Sequence, residues 1–326
     1  MLSPLLALAV ACQEYNLAGP EVHEGQYNPP ELGVDTHKDK ITQVTVPSVD
    51  VLFVVDNSGS MAEEQNSLRD NFDGFMRYFT TSGMDYHVGV VSTDMDNRNE
   101  SGKLIEHGGT RFIDSSYSEA EAIASFRERA SLGTFGSSDE RGKDAAYTAL
   151  NSERDKTNVD FYRPEAVLSI VVISDEWDYS RNVSVNEFSS WMTSLKEEDD
   201  QTWFSGIIGP SLRGCSSRNG DAMPGTGYTE VISAVGGIEY SICEEDWSSI
   251  LEQLGMQAAG LKREFFLSLA PVEDTIEVEV RMDGDKREFD DDEYTYSPSR
   301  NSITFVSFVP DPLTVVEIEY EVLASA

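Results

Sequence analysis

The stretch Val51-Leu52-Phe53-Val54-Val55-Asp56-Asn57-Ser58-Gly59-Ser60 decides how this chain is read. An unbroken apolar run with no polar alternation describes a strand buried on both faces, as in a parallel sheet covered by helices. The run ends at Asp56. Asn, Ser and Gly follow, the residue types that turn a strand into a helix and cap it. Ala62 to Phe79 then carries Leu68, Phe72, Phe75, Met76 and Phe79 at helical spacing.

The same alternation continues downstream. His87–Val91, Val167–Ile173 and Phe204–Ile208 read as strands, and Ser118–Ala130, Lys143–Leu150, Glu187–Leu195 and Trp247–Ala259 as helices. Strand–helix alternation of this kind predicts an α/β fold: a doubly wound, mostly parallel, Rossmann-like sheet over residues 47–261. The pattern changes after that. Ile276–Val280 and Val316–Tyr320 alternate with period two, Asp283-Gly284 is a hairpin signal, and Thr295-Tyr296 and Ser302–Phe305 supply further short strands. Residues 262–326 are therefore expected to form a small all-β module.

At the other end, residues 13–46 mix Gly, Pro, Asn and charges without period and read as a flexible linker. Leu2 to Ala11 is apolar apart from Ser3 and Pro4 and closes on small residues before Cys12. It is too short to span a bilayer, which takes about 20 residues, and reads as an export signal over residues 1–12. It resembles a bacterial lipoprotein signal. That resemblance implies cleavage before Cys12, lipidation of that Cys and, with Gln13 rather than Asp after it, the outer membrane. Two other cysteines, Cys215 and Cys243, then form an even set in an oxidising compartment, where a disulfide is expected and two buried thiols are the alternative.

Composition narrows the partners. The 326 residues are 39% hydrophobic and 10% aromatic, a globular balance. Against 24 basic residues stand 59 acidic ones, a net charge of −35. Such a surface repels nucleic-acid phosphates and anionic headgroups, and attracts cations or a basic partner.

Two aspartates carry the chemistry. Asp56 ends one buried strand, and Asp175, in Ile173-Ser174-Asp175-Glu176, follows the most apolar one. In a doubly wound sheet, ligands sit beyond the carboxyl ends of strands where the strand order reverses. If the reversal lies between these strands, both carboxylates face one crevice. Carboxylates and hydroxyls without His or Cys suit hard cations such as Mg²⁺, Ca²⁺ or Mn²⁺ rather than Zn²⁺.

Asp56, Ser58 and Ser60 match the Asp-x-Ser-x-Ser motif of von Willebrand factor type A (vWA) domains, the metal-ion-dependent adhesion site, and the resemblance covers roughly residues 49–260. It implies that Ser58 and Ser60 bind metal directly and that Asp175 completes the site. It also implies a Thr from a second loop, for which Thr134 is the candidate and Ser137 or Ser138 the alternatives. With its Asp-Glu pair and β tail, the chain is similar to vWA-bearing surface lipoproteins of delta-proteobacteria and their relatives. Asp94, Asp96, Glu140, Glu176 and Asp178 flank the crevice as candidate accessory acids or as solvated loop acids.

Catalytic signatures are lacking. His23 and His37 fall in the expected linker, and His87 and His107 lack metal-ligand spacing. The chain has no Gly-x-Ser-x-Gly elbow and no phosphate loop. The resemblance implies a non-enzymatic binder in which a protein partner's Asp or Glu completes the shell of a bound Mg²⁺. The negative surface favours basic residues around that acidic anchor. A purely stabilising metal in an envelope protein, or metal-assisted hydrolysis, are the alternatives.

Overall fold

A computed structural model describes residues 33–43, 45–196, 201–218, 220–282 and 284–323. The signal segment, Cys12 and Asp283 lie outside the described residues.

The described chain opens with β1 (Val34–Thr42) and β2 (Ser48–Val55). Helices α1 (Ala62–Asp70) and α2 (Phe72–Ser82) lead to β3 (Asp85–Ser92) and a short β4 (Phe112–Asp114). Then come α3 (Glu119–Arg129), α4 (Gly142–Leu150), β5 (Val167–Ser174), α5 (Val185–Ser194) and β6 (Thr202–Ile208). A small hairpin of β7 (Cys215–Ser216) and β8 (Asp221–Ala222) precedes α6 (Tyr228–Val235), β9 (Glu239–Ser241) and α7 (Trp247–Ala258). The rest is β-structure: β10 (Glu264–Phe266), β11 (Glu277–Met282), β12 (Asp285–Phe289), β13 (Tyr294–Ser297), β14 (Ser302–Phe305) and β15 (Val315–Leu323).

The central sheet runs β4-β3-β2-β5-β6-β9, all parallel except the edge strand β4. From β2 the chain builds outward through β3, then returns to lay β5 and β6 on the other side. The order therefore reverses between β2 and β5. Alternate residues of the strands feed two cores. Val51, Phe53 and Val55 pack with Leu68, Phe72, Phe75, Phe126 and Leu251 from α1, α2, α3 and α7. Leu52 and Val54 pack with Ala145, Phe188 and Val231 from α4, α5 and α6. Burial on both faces explains why β2 and β5 read as continuous apolar runs.

The expected helix from Ala62 to Phe79 is two helices. Asn71 interrupts it by sending its side-chain Nδ2 back to the Ser67 carbonyl at 2.8 Å, which competes with continued helix hydrogen bonding. Two other helices start where the sequence places good caps. Ser118 and Glu121 form a capping box on α3, as do Ser184 and Glu187 on α5.

The C-terminal strands form two antiparallel sheets, β1-β15-β11-β12 and β10-β14-β13. They share one core that includes Phe265, Val280, Phe289, Phe305, Ile318 and Tyr320. Here the linker expectation fails in part. Val34–Thr42 is a strand paired with β15 along its whole length, from Val34 opposite Leu323 to Thr42 opposite Val315. Of the side chains it turns inward, His37, Asp39 and Ile41, two are polar, which is why it shows no apolar period. The His37 ring meets Tyr320 edge-on at 5.4 Å. Asp39 accepts from Tyr320 Oη at 2.7 Å and from the Ser268 backbone N–H at 2.9 Å. The β-module is thus assembled from both ends of the described chain.

Candidate metal centre

Asp56 and Asp175 leave β2 and β5 on either side of the strand-order reversal. The Asp56 backbone N–H still donates to Ile173 at 3.0 Å, so the two loops start in register. The Asp56 side chain is fully buried. Its Oδ1 accepts from the Ser58 N–H at 2.7 Å, and its Oδ2 from Ser174 Oγ at 2.6 Å. Ser58 Oγ and Ser60 Oγ lie 3.2 Å apart. Ser60 also bonds to Asp175, which lowers the pKa of that carboxyl against the larger upward push of burial. Two carboxylates and two hydroxyls therefore meet at the carboxyl edge of the sheet.

Buried oxygens at this place have no hydrogen-bond partner: Asp175 Oδ1, Glu140 Oε1 and Glu64 Oε2. Leaving such atoms bare in a packed site is costly unless a cation or water meets them. The nearby basic side chains are committed elsewhere, Arg141 to Asp96, Lys143 to Asp178 and Arg181 to Asp139. Acid protonation responds to this surplus of negative charge. Burial first, then the Asp56 charge, push Glu140 up to about 9. Burial raises Asp56 to about 6 and Glu64 to about 7. An orphaned buried oxygen beside carboxylates and hydroxyls is the donor chemistry of a hard-cation site. Among the described residues no group of three or more His, Cys, Asp and Glu side chains is placed to hold a metal ion.

The second loop is tied to the first. Gln65 Nε2 donates to the carbonyls of Asp56 and Gly133, each at 2.9 Å. The Gly136 N–H donates to the Asn57 carbonyl at 2.9 Å. Thr134 lies between these stitches, half-buried, and makes no hydrogen bond to Asp56, Ser58, Ser60 or Asp175 among the described residues. Ser137 turns away, its N–H to Asp94 and its hydroxyl to Asp96. The side chain this loop brings against Asp56 is Glu140, fully buried, with Thr93 Oγ1 on its other oxygen.

The remaining flanking acids have other employment. Asp94 accepts from the backbone N–H groups of Asp96 and Asn97, holding the loop after β3. Asp96 pairs with Arg141. Asp178 is paired with the buried Lys143 at 3.0 Å, and so is a neutralised structural acid. Glu64 and Ser174 belong at the site and carry no motif signature. An acid in a first helical turn and a serine at a strand end are ordinary features.

The Cys215–Cys243 disulfide is present. It closes on the hairpin β7–β8, whose neighbour Met223 donates its N–H to the Asp175 carbonyl at 2.8 Å.

No protein-family model matches the chain, and no curated protein does. Among solved structures it is similar to a von Willebrand factor type A protein from Catenulispora acidiphila, at 11% identity and TM-score 0.42, over 92% of this chain and 67% of that one. It is similar to proximal thread matrix protein 1 from the mussel byssus, a form with a zinc-occupied MIDAS motif, at 15% identity and TM-score 0.42, over 68% and 48%. A pilus adhesin from Streptococcus pneumoniae matches at 9% identity and TM-score 0.34, over 92% and 60%. The chain spans about half the length of the mussel protein.

Proposed function

We propose that this chain is a divalent-cation-dependent protein-binding module. Asp56, Ser58, Ser60 and Asp175 are the residues that would hold Mg²⁺, Ca²⁺ or Mn²⁺, and a partner docks over them. One observation carries this reading: strand-end aspartates from both sides of the strand-order reversal come together with two hydroxyls, and one buried oxygen of the pair, Asp175 Oδ1, has no hydrogen-bond partner among the described residues. When bound, the cation supplies an electrophilic anchor for an Asp or Glu of the partner.

The rim suits docking better than turnover. Phe135 is wholly exposed between Gly133 and Gly136, and Trp177, Leu212 and Met223 are exposed on the loops after β5, β6 and β8. Exposed large apolar residues gathered at one end of a sheet mark an interaction surface. Two of the histidines lie away from this site: His37 is on β1, and His87 Nδ1 is bonded to the Phe161 carbonyl, close to Asp50 near the start of β2. The disulfide supports an exported protein, since such bridges persist in oxidising compartments. Among the described residues no helix is long and apolar enough to cross a membrane.

Calorimetry with each cation, on the chain and on an Asp56→Ala, Asp175→Ala double variant, tests the site. Unchanged affinity in the double variant overturns it. Partner binding from envelope extracts that is lost both in EDTA and in the double variant supports the binder. Binding indifferent to both assigns the cation a stabilising role only. EDTA-sensitive turnover of phosphoester or peptide substrates would favour a hydrolase.

A further inference from the structure

We infer that a cleft at the other end of the central sheet from Asp56 and Asp175 binds a small carboxylic acid with an apolar tail, of the medium-chain fatty acid kind, and that Arg263 holds its carboxylate.

The cleft has a volume of about 640 Å³ and apolar walls that include Trp203, Ile238, Met256 and Val309. Val167, the first residue of β5, lines it as well, whereas Asp175 follows the last residue of that strand. Its size and its mostly apolar lining with a few polar groups are those of a small-molecule site. The walls are fixed. Trp203 and Val309 pack against the core beneath α7. The Leu261 N–H donates to the Met256 carbonyl at 3.0 Å, and the Val46 N–H to the Ala259 carbonyl at 3.2 Å. Gln43 Nε2 donates to the Lys262 carbonyl at 2.8 Å, and the Phe305 N–H to the Arg263 carbonyl at 3.1 Å. The backbone that carries these two cations is thus held by β14 and by the segment after β1.

The polar groups of the cleft are set up as donors. Gln257 Oε1 accepts from Ser205 Oγ at 2.8 Å, and Gln253 Oε1 from Tyr240 Oη at 2.6 Å. With both amide oxygens engaged, the amide nitrogens are left to meet a ligand. Arg263 Nε is buried and has no hydrogen-bond partner. Among the described residues neither Lys262 nor Arg263 forms an ion pair, in a chain with 59 acidic residues against 24 basic ones. A buried donor without an acceptor is costly, and a guanidinium matches a carboxylate in shape as well as charge. Donors set among apolar walls fit an anionic head on an apolar tail. A cationic or purely apolar ligand would leave Arg263 unmet.

Calorimetric titration of the full chain with octanoate, 1-octanol, octylammonium and acetate tests this. EDTA is present throughout, so that no carboxylate binds through a cation at Asp56. Octanoate is expected to bind about tenfold or more tighter than 1-octanol or acetate, with octylammonium weakest. Arg263→Met, with its fold checked by circular dichroism, is expected to lose about tenfold or more of the octanoate affinity and to keep that for 1-octanol. Octanoate that fails to bind, or binds no tighter than 1-octanol, overturns the inference on the native chain alone, whether or not the variant folds. Acetate binding as tightly as octanoate overturns the role of the apolar walls. Native octanoate affinity in folded Arg263→Met overturns the carboxylate anchor.

Discussion

Ser174 Oγ donates to Asp56 Oδ2 at 2.6 Å across 118 residues of sequence, joining the ends of the two strands that flank the reversal. The same hydroxyl accepts from the Glu176 N–H at 3.2 Å, so one serine sets both the Asp56 carboxylate and the start of the Asp175 loop. Hydrogen bonds of this kind orient a ligand without touching the ion, and their loss typically costs about 10- to 100-fold in metal affinity. Ser174→Ala is therefore expected to weaken cation binding within that range, as read by calorimetry, while the fold is retained. An affinity within about twofold of native would show that Asp56 needs no such support.

Stability without metal should fall as pH rises. Asp56, Glu64 and Glu140 are all raised above their ordinary values, chiefly by burial. Their folded-state pKa values exceed the unfolded ones near 4, so the folded chain holds extra protons across that interval. The stabilisation is complete below about pH 4 and is lost as pH climbs through about 6, 7 and 9. In EDTA, the melting temperature is expected to decline from pH 5 to pH 9 by calorimetric scan. Saturating Ca²⁺ should flatten the decline, because the ion replaces the protons as counter-charge. A metal-free melting temperature that rises over this range would contradict the surplus of buried acid.

Gly136 is the tightest point between the two loops. A Cβ there would lie 2.1 Å from Asn57 Oδ1 and 2.4 Å from its Cγ, so the Asn57 side chain, whose Nδ2 donates to Glu100 at 3.2 Å, or the loop itself would have to shift. Gly136→Ala should therefore separate the second loop from Asn57, costing about 1–3 kcal/mol by overpacking and lowering cation affinity with it. Gly59→Ala, where an added Cβ meets nothing within 4 Å, is the matched control. Urea midpoints for the two variants check the first effect and calorimetry the second. Equal behaviour of the pair would mean the loops are not rigidly docked.

What the sequence could reveal follows from which faces are apolar. The strands β2 and β5 are covered on both sides, so their unbroken apolar runs announce them, and Asp56 and Asp175 are found because they end those runs. Glu140 reads in sequence as an accessory acid or a solvated loop acid, and its full burial comes from contacts made by Thr93 and Tyr179, far off in sequence. Glu64 carries no sequence signal of its own: it is one of two acids in the first turn of α1, where the helix dipole favours them. The break at Asn71 turns on a single side-chain hydrogen bond. Strand β1 was hidden for the opposite reason to β2: what it turns inward is a histidine, an aspartate and one isoleucine.

That polar strand makes its own prediction. Asp39 accepts from Tyr320 Oη, Ser268 Oγ and the Ser268 N–H, binding β1 to the last strand and to the segment after β10. Tyr320 is buried in the module's core, so Asp39→Ala would leave its hydroxyl without that acceptor, and an unmet buried group costs about 1–3 kcal/mol. The loss should appear as a lower denaturation midpoint. With β1 loosened, the hydrogen-bonding edge of β15 becomes available to a second chain, so the variant is also expected to self-associate in sedimentation runs. Cation affinity should stay at the native value, because Asp39 is bonded to Ser268 and Tyr320 and not to Asp56, Ser58, Ser60 or Asp175. A midpoint and sedimentation profile equal to native would mean that β1 is held by its backbone ladder alone.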